Sequence, residues 1–135
     1  MIEVFHTVDE LGTNHWRTAD GIWHREDGPA YEGHGLKYWY YLGCLHRCGG
    51  PAYEGLHGAK QWFQNGLLHR TDGPAIETLS NKYSWYLQDR SVAPIEVFRR
   101  GTPVERMHML CFYPSEFSIW ANNRNVLLTT KEESS

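Results

Sequence analysis

HREDGPAYE, running from His24 to Glu32, returns as HRCGGPAYE at His46 and as HRTDGPAIE at His69, 22 and then 23 residues further along. One word written three times at a near-constant period marks a stacked repeat, in which each copy buries its apolar side only against its neighbours. The word fills half of each unit. Trp39, Trp62 and Trp85 stand 23 residues apart, each followed by an aromatic (Tyr40, Phe63, Tyr86), and Trp16 stands one interval upstream as the trace of a degenerate earlier unit. A unit therefore reads as a polar turn, Pro-Ala-x-Glu, a second turn, Trp-aromatic, and a return to His-Arg.

Aromatic and β-branched residues interrupted every few positions by turn residues predict short strands in a meander. A residue before proline is pushed to extended or turn geometry, so Gly28, Gly50 and Gly73 exclude a helix through the word. The period leaves room for two strands of about six residues each and two turns. Asp27 and Asp72 are placed to bond backbone amides two residues on, and Gly49, standing in the Asp position, predicts a looser middle turn. The expected fold is mainly β: an antiparallel β-hairpin stack with a period of ~23 residues.

Adjacent His and Arg on a strand point to opposite faces. Arg25, Arg47 and Arg70 are thus expected on one face and His24, His46 and His69 on the other. Glu32, Glu54 and Glu77 recur seven residues after each Arg across the Gly-Pro turn. A cross-strand Arg–Glu ladder, at about 0.2–1 kcal/mol per pair, is the structural expectation. Three equivalent glutamates argue against a catalytic acid, because a catalytic site needs unlike groups converging once.

At 135 residues the chain has the size of one domain with a real core. Five of its six tryptophans lie between Trp16 and Trp85, so the repeats are expected to supply most of that core. The predicted division is 1–15 as an N-terminal cap strand, 16–91 as repeats, 92–130 as a small mixed α/β C-terminal cap and 131–135 as a polar tail. In the cap, Pro94 and Gly101 bracket PIEVFRR as a short helix, and Thr102 with Glu105 forms a capping box ahead of ERMHMLCF. IEVF at 95–98 also reads as strand, as it does at 2–5. A closing hairpin is expected from Ser118–Ala121 and Val126–Thr130.

The net charge of −3 and a pI near 6.2 disfavour a nucleic-acid module built on phosphate contacts. No apolar run reaches membrane-span length, and MIEVFHTVDE has no signal-peptide pattern, so a cytoplasmic location is expected. Three cysteines fit a reducing compartment better than a disulfide framework. Cys44, His46 and Cys48 alternate, which invites zinc. Alternate strand residues stand roughly 6.6 Å apart, too far for three ligands to converge on one ion from a straight strand. No metal and no cofactor is expected.

The pattern in Gln61–Ala75, QWFQNGLLHRTDGPA, resembles the MORN-like repeat variants built on a WYxNGxxHRxDGPA word. The resemblance covers residues 16–90 or so and leaves out both ends. Such repeats are common in small proteins of phages, large viruses and bacteria. The resemblance implies a β-hairpin stack with a binding role and no catalytic residues.

These readings converge on a non-enzymatic protein-binding module, with a phage or viral inhibitor of a host protein or defence complex as the sharper form. Tyr, Trp and Arg are the usual interface anchors. The candidate partner-binding residues are Tyr31, Tyr53, Tyr38, Tyr40, Phe63, Tyr86, Arg25, Arg47 and Arg70; Ile76 continues the Tyr31–Tyr53 position. Edge-to-edge pairing into a homodimer is left open. A competing reading is a choline or glycan binder with aromatic cages, from the YWYYLG segment. An enzyme would need the unrepeated His6, His15, His108 or Cys111, with His108 and Cys111 sharing a helix face as a nucleophile pair.

Overall fold

The computed structural model describes residues 2–118. Fourteen strands occur among them, all two to four residues long: β1 (Phe5–Val8), β2 (Asn14–Arg17), β3 (Tyr31–Gly33), β4 (Leu36–Tyr38), β5 (Tyr40–Tyr41), β6 (Cys44–Leu45), β7 (Tyr53–Glu54), β8 (Lys60–Gln61), β9 (Phe63–Gln64), β10 (Leu67–Leu68), β11 (Ile76–Glu77), β12 (Tyr83–Ser84), β13 (Tyr86–Leu87) and β14 (Arg90–Ser91). Helices α1 (Pro94–Arg100) and α2 (Pro103–Phe112) follow, then a 3-10 turn at Pro114–Phe117. The mainly β hairpin stack is therefore the fold. The expected closing hairpin lies outside the described residues.

Each unit holds four short strands in two hairpins, where the period had been expected to hold two longer strands. The break falls at the tryptophan. Lys60–Gln61 pairs into the large sheet, and Phe63–Gln64, just past Trp62, pairs with Leu67–Leu68 instead. An eight-stranded antiparallel sheet runs β1-β2-β3-β4-β7-β8-β11-β12, and beside it stand three small hairpins, β5–β6, β9–β10 and β13–β14. The hairpins are bonded in a row: the amides of Gly43, Gly66 and Asp89 each reach the carbonyl of the preceding unit, on Trp23, Leu45 and Leu68, at 2.8 Å.

The small hairpins turn at Leu42-Gly43, Asn65-Gly66 and Gln88-Asp89, with φ positive at both central residues of each. That is the tight turn whose twist matches the strands it joins. Gly66, at φ +82°, takes this conformation without the steric cost that a Cβ brings. Each of these turns is held by a histidine of the unit before. His24, His46 and His69 accept, at Nδ1, the backbone N–H of Leu42 (2.9 Å), Asn65 (2.9 Å) and Gln88 (3.1 Å). The histidine file is thus an inter-repeat staple, and the acceptor role places the ring proton on Nε2. In the middle unit Nε2 faces Cys48 Sγ at 3.7 Å.

The arginines fold back over their own loops. Nη1 of Arg25, Arg47 and Arg70 donates to the carbonyls of Pro29, Pro51 and Pro74 at 3.1, 3.1 and 3.0 Å. Each guanidinium lies over its unit's tryptophan, at 3.9 Å on Trp16, 3.9 Å on Trp39 and 3.7 Å on Trp62. The glycine before each proline is what lets the guanidinium in: a Cβ on Gly28, Gly50 or Gly73 would stand 2.7–2.9 Å from the arginine Cζ. Two expectations are corrected here. Asp27 and Asp72 accept from Arg25 and Arg70 Nε at 2.8 and 2.7 Å, and do not close the turn on backbone amides. The Arg–Glu ladder holds in two units, Arg47–Glu54 and Arg70–Glu77, both at 3.0 Å, whereas Glu32 turns to Lys37 at 3.7 Å. The middle turn, with Gly49 in the Asp position, has no counterpart of the Arg Nε–Asp bond, and Arg47 keeps its bonds to the Pro51 carbonyl and to Glu54.

The continuous apolar core is not in the repeats. It lies where the last unit meets the C-terminal helices: Trp85 and Leu87 pack with Val97, Phe98, Met109, Tyr113 and Phe117. Ala30, Ala52 and Ala75 are fully buried within the stack, but Trp16, Trp23, Trp39 and Trp62 are half-buried. Pro94–Arg100 and Pro103–Phe112 are helical, with an extended break at Gly101-Thr102, so the strand reading of 95–98 does not hold. The Thr102–Glu105 capping box forms with both of its bonds. Buried Arg106 donates to the carbonyls of Phe98 and Arg99, satisfying the orphaned end of α1. At the other end β1 pairs with β2, and His6 stacks flat on Trp16 at 4.3 Å, closing the first edge.

Candidate protein-docking face

Strand register carries one row of side chains across all eight strands: Thr7, His15, Tyr31, Tyr38, Tyr53, Gln61, Ile76 and Ser84. The neighbouring row reads Glu32, Lys37, Glu54, Lys60, Glu77, charges of alternating sign, and points the other way because the pleat has a period of two. Trp39 follows Tyr38 by one residue, and Ala30 precedes Tyr31 by one. The Trp, Ala and Arg layer therefore shares the charged row's face, and the tyrosine row faces away from it.

At its N-terminal end this tyrosine face is a ring network. Tyr31 meets Tyr38 edge-on at 5.4 Å, Tyr38 meets Tyr53 at 5.0 Å, and Tyr40 lies 6.1 Å from Tyr38. Trp23 joins at 5.7 Å from Tyr31 and 5.9 Å from Tyr40, and His15 at 5.6 Å from Tyr31. All of these rings are half-buried. No described residue hydrogen-bonds the hydroxyls of Tyr31, Tyr38, Tyr40 or Tyr53, so these groups are left to solvent or to a partner. Burial against the neighbouring rings pushes the Tyr38 phenol above its ordinary range, with the nearby Tyr53, Tyr40 and Tyr31 adding to it. Burial does the same for Tyr40.

A cation edges the network. The Arg17 guanidinium sits 4.0 Å over Trp23. His15 Nε2 pairs with Asp9 at 3.0 Å; that bond is the first cause holding the Asp9 carboxyl below the usual range, the Thr13 and Leu11 amides helping. Phe63 and Tyr86 are half-buried and, among the described residues, outside the ring network. The predicted aromatic set thus divides: Tyr31, Tyr38, Tyr40 and Tyr53 come together, and Phe63 and Tyr86 do not join them.

The three predicted arginines stand on the other face, each holding its own loop together. Arg25 bonded to Asp27 is the main reason the Asp27 carboxyl titrates below its ordinary range. Arg70 is buried and spends its donors on Asp72, Pro74, Glu77 and Tyr113. The same stacks occupy a face of Trp16, Trp39 and Trp62, leaving the cation cage that a choline reading needs already filled by the chain's own cations.

The partner-binding set read from the sequence leaves out Arg17, Trp23 and His15, the last named there only as a candidate enzyme group. A signal for them existed: His15 precedes Trp16 as Tyr38 precedes Trp39, and Trp23 precedes His24 as Leu45 precedes His46. Of the candidate enzyme groups, His108 bonds the Asp72 carbonyl through Nδ1 at 2.9 Å and packs on Phe112, while Cys111 is exposed. Among the described residues no group of three or more His, Cys, Asp or Glu is arranged to hold a metal ion. No described helix is long and apolar enough to cross a membrane. No family model, no curated protein and no solved structure matches the chain.

Proposed function

We propose that this protein is a non-enzymatic binding module that docks another protein on the tyrosine face of its sheet. One observation carries the reading: four tyrosines, a tryptophan and a histidine form a continuous half-exposed patch whose phenols have no partner within the described chain. Tyrosine and tryptophan bring large contact area at low entropic cost, and an unpaired phenol supplies the polar contact that fixes orientation. The short, strongly hydrogen-bonded hairpins behind the patch present it on a preorganised surface. The resemblance to phage and viral repeats extends the proposal to an inhibitor of a host protein or defence complex, and that extension rests on the resemblance alone.

Photo-crosslinking tests it. A benzoylphenylalanine placed at Tyr53 and expressed in a bacterial host is expected to capture one predominant protein. The same group at the exposed Leu79, in the β11–β12 turn, is expected to capture none. Equal capture from both positions would remove the face assignment.

A further inference from the structure

The repeat creates the same gap three times, between one unit's Arg–Pro loop and the next unit's tryptophan. The first gap, between Arg25–Pro29 and Trp39, is an open groove of about 640 Å³. The second, between Arg47–Pro51 and Trp62, is an open groove of about 620 Å³. The third, between Arg70–Pro74 and Trp85, is filled, and what fills it is Tyr113. Its ring meets Trp85 edge-on at 6.0 Å and lies against Gly73, where an added Cβ would be 3.0 Å from it. Its hydroxyl accepts from Arg70 Nη1 and donates to Glu77 Oε2, both at 3.1 Å.

We infer that the second groove is a binding site for a tyrosine side chain presented by a partner polypeptide. The chain itself supplies the template. Arg47, Gly50, Glu54 and Trp62 repeat Arg70, Gly73, Glu77 and Trp85, and Arg47 Nη1 pairs with Glu54 Oε2 at the same 3.0 Å as Arg70 with Glu77. The hydroxyl-reading pair is thus already assembled in this unit, with Arg47 and Trp62 lining the groove and Arg70 stacked on the Trp62 ring at 3.7 Å. The first groove lacks it: Arg25 pairs with Asp27, and Glu32 is drawn to Lys37. Tyr113 also shows how such a ring is delivered. It caps the end of α2 and is followed by Pro114, so the side chain projects from a chain that cannot continue its helix. The groove lies on the arginine face, opposite the tyrosine face, so this site stands or falls independently of the docking proposal.

The test is an NMR titration of the full chain with N-acetyl-tyrosinamide and, separately, N-acetyl-phenylalaninamide. The expected result is a shift of the Trp62 indole N–H and the Gly50 amide, with tyrosinamide binding about fivefold tighter, the worth of one ordinary hydrogen bond. Glu54→Leu is expected to erase that preference, and Glu32→Leu, at the first groove, to leave it intact. Unshifted Trp62 and Gly50 resonances, or equal binding of the two amides, would overturn the proposal, and this comparison needs no variant to fold. A Tyr113→Ala chain adds a second reading: 4-methylphenol is expected to raise its melting temperature more than that of the unaltered protein. Equal response of the two would contradict the template. Broadening of the Trp62 resonance with protein concentration alone would place a second copy in the groove and overturn the partner assignment.

Discussion

His46 Nδ1 accepts the backbone N–H of Asn65 at 2.9 Å, and so closes a turn that belongs to the next repeat. His24 and His69 do the same for Leu42 and Gln88. The bond joins residues that neither turn chemistry nor strand pairing would bring together, and it recurs at every junction between described units. It explains why histidine stands in the word: no other side chain offers a rigid, flat acceptor that also packs under an aromatic, as His24 does with Tyr41 at 4.7 Å.

Replacing His46 by leucine keeps most of the packing and deletes the acceptor. The expected cost is about 1 kcal/mol, a fall in melting temperature of roughly 3–5 °C for a domain of this size. His24→Leu is expected to cost more, since His24 is buried at 1 % exposure and the Leu42 amide loses its partner in a drier place. Thermal unfolding followed by circular dichroism checks the order; equal melting temperatures for both variants and the unaltered chain would show the staple to be idle.

Arg70 is the most heavily used of the three loop arginines. Arg70→Ala leaves Asp72 and Glu77 without their cation and strips the cover from Trp62, for an expected loss of about 3–5 kcal/mol. Arg25, whose side chain is more exposed, pairs with a single, well-solvated aspartate, and its alanine variant is expected to lose about 1 kcal/mol or less. Urea denaturation of the two variants measures the contrast.

Tyr113 gives the fold an alkaline limit. Burial is the main cause that pushes its phenol up to about 12, with Arg70 opposing through its charge and hydrogen bond and Glu77 reinforcing. A folded value above the unfolded value near 10 means that the stabilising protonated form is fully present below pH 10. It is lost as pH rises through 12, a contribution on the order of 2–3 kcal/mol. The C-terminal helices are expected to undock in that window. Tyr113→Phe is expected to flatten the pH 10–12 dependence of Trp fluorescence; an unchanged profile would assign it to Tyr38 and Tyr40 instead.

Gly73 and Gly50 occupy one repeat position, yet a Cβ at Gly73 meets both Arg70 Cζ at 2.7 Å and the Tyr113 ring at 3.0 Å, and at Gly50 only the Arg47 guanidinium, 2.9 Å to its Cζ. Gly73→Ala is therefore expected to be destabilising by about 1–3 kcal/mol, and Gly50→Ala by less, because the exposed side of Arg47 has room to shift. Calorimetric melting of both variants decides this.

The repeat, its period and its antiparallel hairpins were legible because Gly-Pro, Asn65-Gly66 and the tryptophans punctuate the chain at fixed offsets. The helices were legible for the same kind of reason: Pro94, Gly101 and the Thr102–Glu105 box are local signals. What stayed hidden depends on distance in sequence. Treating His46-Arg47 as strand residues put them on opposite faces of a sheet. In fact they lie just past β6, where Arg47 turns into its own loop and His46 reaches the next unit. Asp27 and Asp72 were read by turn statistics, which do not register an arginine two residues earlier as the stronger partner. Tyr31, Tyr53 and Ile76 were legible as one repeated position, but that Tyr38 stands between Tyr31 and Tyr53 in the same row depends on the register. Tyr113 filling the third groove depends on two helices returning the chain to Trp85, and no local pattern announces that.

The most direct test of the docking face compares proteins retained from a bacterial lysate by the tagged chain and by a Tyr38→Lys, Tyr53→Lys double variant, each at matched melting temperature. The account predicts a partner held in stoichiometric amount by the unaltered chain and lost from the double variant, with the Arg17 edge changing only its salt dependence. The same partner held equally by both chains would contradict it.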